Sequence, residues 1–208
     1  MKAFCRCIFF LVFCAGCAKQ PSLPENSVFN VTSILNDSVW YGTGKVLRLK
    51  EADQKMEDVR QFNLLVHTDI DYNGMGGGPN PNTSNGCLDP ECTRTQGLVI
   101  YNIPLKKGRS NIARLNKRSK LKNEYASLSY IGNAGGLLNS YVYRGQKPGW
   151  VRVTKFDKAT GIVEGRFAIT FTEDNTRDLF LHNIMPPAAR FTNGLFRIKI
   201  TDVYLKKP

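Results

Sequence analysis

The residues of this chain with chemistry to offer fall into a few short clusters. Asp69-Ile70-Asp71-Tyr72-Asn73-Gly74 sets oxygen-bearing side chains at alternate positions and then a glycine. That is the opening half of a calcium loop, which needs hard oxygen ligands and a sharp turn together. The second half departs from the pattern: the twelfth position is Asn80 in place of a bidentate glutamate, and Gly76-Gly77-Gly78-Pro79 supplies no ligating side chain. Asp89 or Glu91 folding back would complete an oxygen cage. Asp69, Asp71 and Asn73 therefore stand as a candidate calcium site against the plainer reading of an Asp/Asn/Gly turn, and no other cofactor is expected. Two histidines, His67 and His182, are available for imidazole chemistry, and neither sits in a nucleophile elbow or a zinc-protease signature. His67 alternates away from Phe62, Leu64 and Val66, which predicts a solvated or edge position. Glu173 and Asp174 are adjacent, and neighbours on a strand point apart, so they predict a turn and not an acid/base pair. No catalytic residue emerges.

Two further clusters suit binding. Tyr141, Tyr143 and Trp150 frame the polar loop Arg144-Gly145-Gln146-Lys147-Pro148-Gly149, where exposed rings would stack on a sugar. The alternative is that they are core and rim aromatics. Between Lys106 and Lys122 lie Lys106, Lys107, Arg109, Arg114, Lys117, Arg118, Lys120 and Lys122 with no carboxylate among them, in a chain of 208 residues with 29 basic and 17 acidic side chains. In the cytosol such a run points to nucleic acid; outside it, to anionic glycan or lipid headgroups, or to a merely solvated face.

The N-terminus bears on that choice. Lys2 and Arg6 precede the apolar run Ile8-Phe9-Phe10-Leu11-Val12-Phe13, and small residues follow, the three regions of an export signal. The uncharged stretch 7–18 is about 18 Å long as a helix, short of the ~30 Å hydrocarbon slab. It reads as a leader and not as a span. Ala15-Gly16 before Cys17, with Cys14 where a leucine is usual, resembles the lipobox of bacterial lipoproteins. The resemblance implies a signal peptide over 1–16 and diacylation of Cys17, against plain secretion with a cut after Ala18. Several acyl chains would make membrane attachment effectively permanent. The acidic cluster that follows the lipidated cysteine in surface-exported lipoproteins of Bacteroidota is missing. An outer-membrane anchor facing the periplasm follows, with the cell surface as the alternative; nucleic acid is not an expected partner. Residues 17–35, polar with Pro21 and Pro24, read as a flexible tether, and 36–208 as a single domain. Of six cysteines only Cys87 and Cys92 then remain in the folded part, and an oxidising compartment predicts their disulfide.

The body of the domain alternates with period 2, and no stretch of 12 or more residues keeps a 3.6-residue apolar repeat, so the fold is all-β. About nine strands are expected, at 39–49, 60–67, 98–103, 110–115, 125–131, 138–144, 150–156, 162–172 and 194–205. Their spacing suits a single antiparallel sandwich or barrel-like domain. Residues 51–58 suit one helical turn or a hairpin tip. Asp157-Lys158-Ala159-Thr160-Gly161 reads as a hairpin connection ending in a residue that tolerates positive φ. The loop 69–97, with six glycines and three prolines, is longer than connections usually are, which suggests either a binding loop or a partly mobile one.

Asp37-Ser38-Val39-Trp40, Ile103-Pro104-Leu105-Lys106-Lys107-Gly108, Gly149-Trp150-Val151-Arg152-Val153-Thr154-Lys155-Phe156-Asp157, Val163-Glu164-Gly165-Arg166-Phe167 and Thr192-Asn193-Gly194-Leu195-Phe196 follow one another in an order that resembles a family of uncharacterised Bacteroidota envelope lipoproteins with an all-β domain. The resemblance spans roughly 35–206 and implies a fold and a location, with no activity to carry over; 69–97 and 173–190 are local elaborations. The expected function is non-catalytic binding of a glycan, lipid or protein partner by a lipid-anchored envelope protein. An envelope-polymer hydrolase and a purely structural or assembly role are the alternatives.

Overall fold

Period-2 alternation becomes, in three dimensions, strands with one buried and one wetter face. In β9 (Ile162–Glu173) Val163, Gly165, Phe167, Ile169 and Phe171 are buried, while Glu164, Arg166 and Thr170 lie on the partly exposed face. The computed structural model describes residues 21–50, 55–70, 86–88, 92, 94–115, 125–132, 135–176, 179–181 and 184–204. The signal 1–16, Cys17, Asp71, Asn73, His182, Lys117, Arg118, Lys120 and Lys122 lie outside the described residues. The other strands are β1 (Val31–Leu35), β2 (Ser38–Lys50), β3 (Gln61–Thr68), β4 (Gln96–Pro104), β5 (Gly108–Asn111), β6 (Ala126–Ile131), β7 (Leu137–Val142), β8 (Gly149–Asp157) and β10 (Ala188–Tyr204). Single 3-10 turns occupy Met56–Asp58 and Ile112–Arg114. The chain is all-β, as its periodicity predicts.

One sheet holds all ten strands in the order β1-β10-β2-β3-β4-β6-β7-β9-β8-β5, and β10 also pairs with β9. Hydrogen bonding therefore runs from β10 through β2, β3, β4, β6, β7 and β9 back to β10, a ring-like sheet. β8 and β5 continue from β9 outside that circuit. Pairing is antiparallel except between β10 and β2, which run parallel from Ile200↔Val46 to Tyr204↔Lys50. A single apolar cluster fills the interior, with Phe191 meeting Trp40 edge-on at 5.0 Å, Phe171 at 6.0 Å and Phe167 at 6.1 Å between ring centroids.

Two glycines lock β9 to β10. Gly165 stands opposite Phe196 and Gly194 opposite Phe167. A Cβ on Gly194 would lie 2.7 Å from the Phe167 ring, and one on Gly165 would strike Phe196 and the Arg152 carbonyl. Each phenyl ring thus lies over the bare backbone of the opposing glycine, which is why the spaced glycine and phenylalanine motifs recur here. The connection after β8 also forms as expected, with Gly161 at φ 73° and Asp157 Oδ1 accepting from Ala159 N at 2.9 Å.

Three elements depart from the sequence reading. β1 falls within the stretch 17–35 read as tether, with Val31 wholly buried, Arg197 Nη2 2.6 Å from Glu25 Oε1, and the Asn30 side chain holding both backbone groups of Gly44. Ser33 shares the buried face with Val31 and Leu35, donating to the Thr192 carbonyl at 2.8 Å, while apolar Ile34 is less buried. The strand expected at 110–115 stops at Asn111, whose side chain accepts from Ala113 N at 3.0 Å and turns the chain into the 3-10 turn. β10 begins at Ala188, ahead of the expected 194, because the Thr192-Asn193-Gly194 turn signal is a bulge inside a continuing strand, with Asn193 at φ 54°.

Candidate functional site

The β4–β5 turn and the pairing of β5 with β8 bring together residues that the chain keeps far apart. β5 runs against the start of β8 with Arg109 opposite Arg152, Ser110 opposite Val151 and Asn111 opposite Trp150. This places Arg109 and Arg114 of the basic run beside the loop that the aromatics frame. Between them opens a cleft of about 980 Å³, lined by β5, the 3-10 turn at Ile112–Arg114, the 144–149 loop, Trp150 and the start of β10.

Four cations line it: Arg109, Arg114, Lys147 and Arg190. All four are exposed, none forms an ion pair among the described residues, and no carboxylate, histidine or cysteine lies among the described lining residues. Arg109 lies over the Trp150 ring, 4.6 Å from its centroid, a cation–π contact that holds the guanidinium at the cleft wall. Concentrated positive charge in a concave site raises the local potential and favours anions.

The floor and one wall are held by hydrogen bonds and burial. Gln146 Nε2 donates to Thr172 Oγ1 at 2.9 Å, its Oε1 accepts from Arg144 N at 2.7 Å, and Thr170 N donates to the Pro148 carbonyl at 2.7 Å. The loop carrying Lys147 is thereby clamped to β9. Tyr143 is buried beneath it, with Gly149 packed on its hydroxyl end, and burial followed by the neighbouring Tyr125 pushes its phenol above the ordinary range.

The aromatic trio divides. Trp150 is partly exposed on the cleft wall and Tyr143 lines it from below. Tyr141 is 1% exposed, packs against Tyr130, and donates its hydroxyl to the Pro186 carbonyl at 2.7 Å, and Tyr143 is 2% exposed in the same core cluster, so a stacking role for either ring is corrected to a core role. Of the basic run, Lys106 and Lys107 fall on the other side of β5, in a groove that also contains Glu57 and Asp202, with Asp202 paired to Arg48 at 2.8 Å. Sequence reasoning missed Lys147 and Arg190 as members of the site. Lys147 sits inside the framed loop and was within reach of that signal; Arg190 carries none.

The other candidate clusters resolve differently. Asp69 is buried, and its Oδ1 accepts from Gly86 N at 2.7 Å while Thr43 Oγ1 donates to the Gly86 carbonyl at 2.9 Å. Gly86, at φ 69°, also packs against the stacked rings of Phe29 and Tyr41. Asp69 thus fastens the far end of the long loop to β2 and β3, and among the described residues no three His, Cys, Asp or Glu side chains gather for a metal. Cys87 and Cys92 form a disulfide with Cα atoms 5.1 Å apart, as expected. Glu173 and Asp174 diverge: Glu173 is buried and accepts from Asn139 Nδ2 at 2.7 Å, whereas Asp174 meets Arg144 at 3.1 Å and Thr176 at 2.9 Å.

His67 is neither at an edge nor freely solvated, because β3 lies between β2 and β4, where His67 stands opposite Thr43 on one side and Gly97 on the other. Its Nδ1 is buried without a hydrogen-bond partner among the described residues, and burial, then Arg94 and Lys45, hold the imidazole down at about 4. The folded state resists a proton that the unfolded chain accepts near the ordinary value of 6.5. Stability should therefore be level above pH ~6.5 and fall as pH drops from ~6.5 to ~4, by about 1–2 kcal/mol for this group after allowing for solvent screening. Urea titrations at pH 7.5 and 4.5 should show a smaller acid loss in His67→Gln than in the parent; equal losses would remove His67 as the cause.

No family model matches the chain, and no curated protein or solved structure matches it significantly.

Proposed function

We propose that this is a lipid-anchored protein of the cell envelope, facing the periplasm from the outer membrane, whose β-domain binds an anionic ligand without altering it chemically. The ligand chemistry is a phosphate, sulfate or carboxylate group of an envelope glycan or lipid headgroup. The observation that carries the reading is the cleft: four cations without an ion pair among the described residues, a tryptophan ring against one of them, and a loop clamped in place before any ligand arrives. Preorganised cations of this kind lose little freedom on binding, so charge-assisted hydrogen bonds contribute more of their strength to affinity. Ligation without chemistry is supported by a lining of cations, amides and rings, and by the divergence of Glu173 from Asp174. The anchor is supported by Lys2, Arg6, the apolar run and Ala15-Gly16-Cys17.

Both halves are testable. Calorimetric titration at low salt with glycerol phosphate and with a glucuronate disaccharide should detect binding of at least one probe. Arg114→Gln and Arg190→Gln should each weaken it about fivefold, or ~1 kcal/mol, with an unchanged melting temperature. Binding of neither probe, or unaltered affinity in both variants, would overturn the cleft assignment. Labelled palmitate should enter the parent and not Cys17→Ala; incorporation in both would overturn the anchor.

A further inference from the structure

The cationic cleft has an extension that its own lining does not include. Arg109 on β5 stands opposite Arg152 on β8, and Arg152 stands opposite Arg166 on β9, so three arginines occupy one row across three neighbouring strands. Directly opposed residues of antiparallel strands share a face, here the outer one, on which Trp150 also lies. Like charges set opposite one another destabilise a sheet. Among the described residues no carboxylate pairs with any of the three, and Arg166 Nε is buried with no acceptor.

The next row shows that the fold does neutralise such charge elsewhere. There Glu164 stands between Lys155 and Arg197, 3.7 Å from the first and 2.9 Å from the second, and Glu25 reaches Arg197 as well. Plus, minus, plus in one row contrasts with plus, plus, plus in the next. The uncompensated row begins at Arg109, which is also the lip of the cleft. At ~4.8 Å between strands it extends about 10 Å from there.

Resting on the cleft reading above, we propose that the ligand is a linear acidic oligosaccharide that leaves the cleft past Arg109 and lies across β5, β8 and β9. Its repeated carboxylate or sulfate groups supply the counter-charge missing between Arg109, Arg152 and Arg166. A single small anion satisfies one end of the row, whereas a chain with charges at intervals satisfies all of it. Trp150 at the junction, partly exposed beside the Arg109 that lies over its ring, offers apolar surface to a sugar, and Asn111 opposite it offers an amide for hydroxyls. These two are what favour a glycan over an anion without rings.

The test uses the full chain in non-ionic detergent with sulfated glucuronan oligomers of two and ten sugars. The ten-sugar probe should bind at least about tenfold tighter than the two-sugar probe and with a steeper salt dependence, because it engages more fixed charges. The double variant Arg152→Gln/Arg166→Gln should lose that length advantage while binding the two-sugar probe within twofold of the parent. Equal affinity for both lengths in the parent, read without any variant, would overturn the proposal, and so would an undiminished advantage in a folded double variant. Polyphosphate of matched charge or phosphatidylglycerol vesicles binding as tightly as the ten-sugar probe would overturn the assignment to a glycan. Failure of the cleft reading would look different, as loss of binding to the two-sugar probe itself.

Discussion

Trp40→Ala is expected to cost about 4–5 kcal/mol of folding stability, close to the whole margin of an ordinary domain. The indole is 1% exposed and meets Phe191 edge-on, so truncation opens a cavity beside the central ring of the aromatic cluster. It also deletes a buried hydrogen bond, Trp40 Nε1 to Gln96 Oε1 at 2.9 Å. Gln96 is not a passive acceptor: its Nε2 donates to the Ile70 carbonyl at 3.0 Å, next to the Asp69 contact that fastens the long loop. The lost side chain should therefore loosen the loop base as well as the core. Trp40→Phe separates the two contributions, keeping much of the ring and losing the hydrogen bond, for about 1–2 kcal/mol. Urea denaturation of both variants measures the difference. An alanine cost below ~2 kcal/mol would mean that the cluster closes without the indole.

Gly165→Ala should destabilise by about 2–3 kcal/mol although it adds a single methyl group. The new Cβ would strike two unlike neighbours, the Phe196 ring and the backbone carbonyl of Arg152. The ring can swing only by displacing its core neighbours, and the carbonyl belongs to the ladder between β8 and β9. Gly136→Ala is the control, since a Cβ there meets nothing within 4 Å, and it should stay within about 0.5 kcal/mol of the parent. Phe196→Leu in the Gly165→Ala background should cost less than Phe196→Leu alone, because the smaller side chain relieves the collision. Additive costs in that double-mutant cycle would show that the ring and the glycine are not coupled.

Much of the strand pattern was legible because side-chain direction in a strand is local: successive residues face opposite ways whatever the partner. Val163, Phe167, Ile169 and Phe171 announced a buried face before their neighbours were known, and Gly161 announced the turn before β9. β1 escaped notice because a partner strand satisfies its inward serine. Ser33 looks like tether until the Thr192 carbonyl stands beside it. His67 alternates away from Phe62, Leu64 and Val66, which predicts a solvated or edge position, yet its burial comes from β2 and β4. The bulge at Asn193 and the turn at Asn111 use the same residue type to continue one strand and end another, and the flanking pairing decides which.

The candidate site was legible only in fragments. A basic run and a group of rings both stood out along the chain, but nothing in their spacing joins Arg109 and Arg114 to Trp150, Lys147 and Arg190. By itself the sequence determined that the chain is built of strands, which face of most of them is buried, and that Cys87 can reach Cys92, because each of these depends on residues within a few positions of one another. Only the tertiary structure decided that the sheet turns back on itself through β10, that Tyr141 is core while Trp150 is wall, and that three arginines share a row. Those are matters of strand order and register, set by burial and hydrogen bonding summed over the whole sheet, and no local stretch contains them.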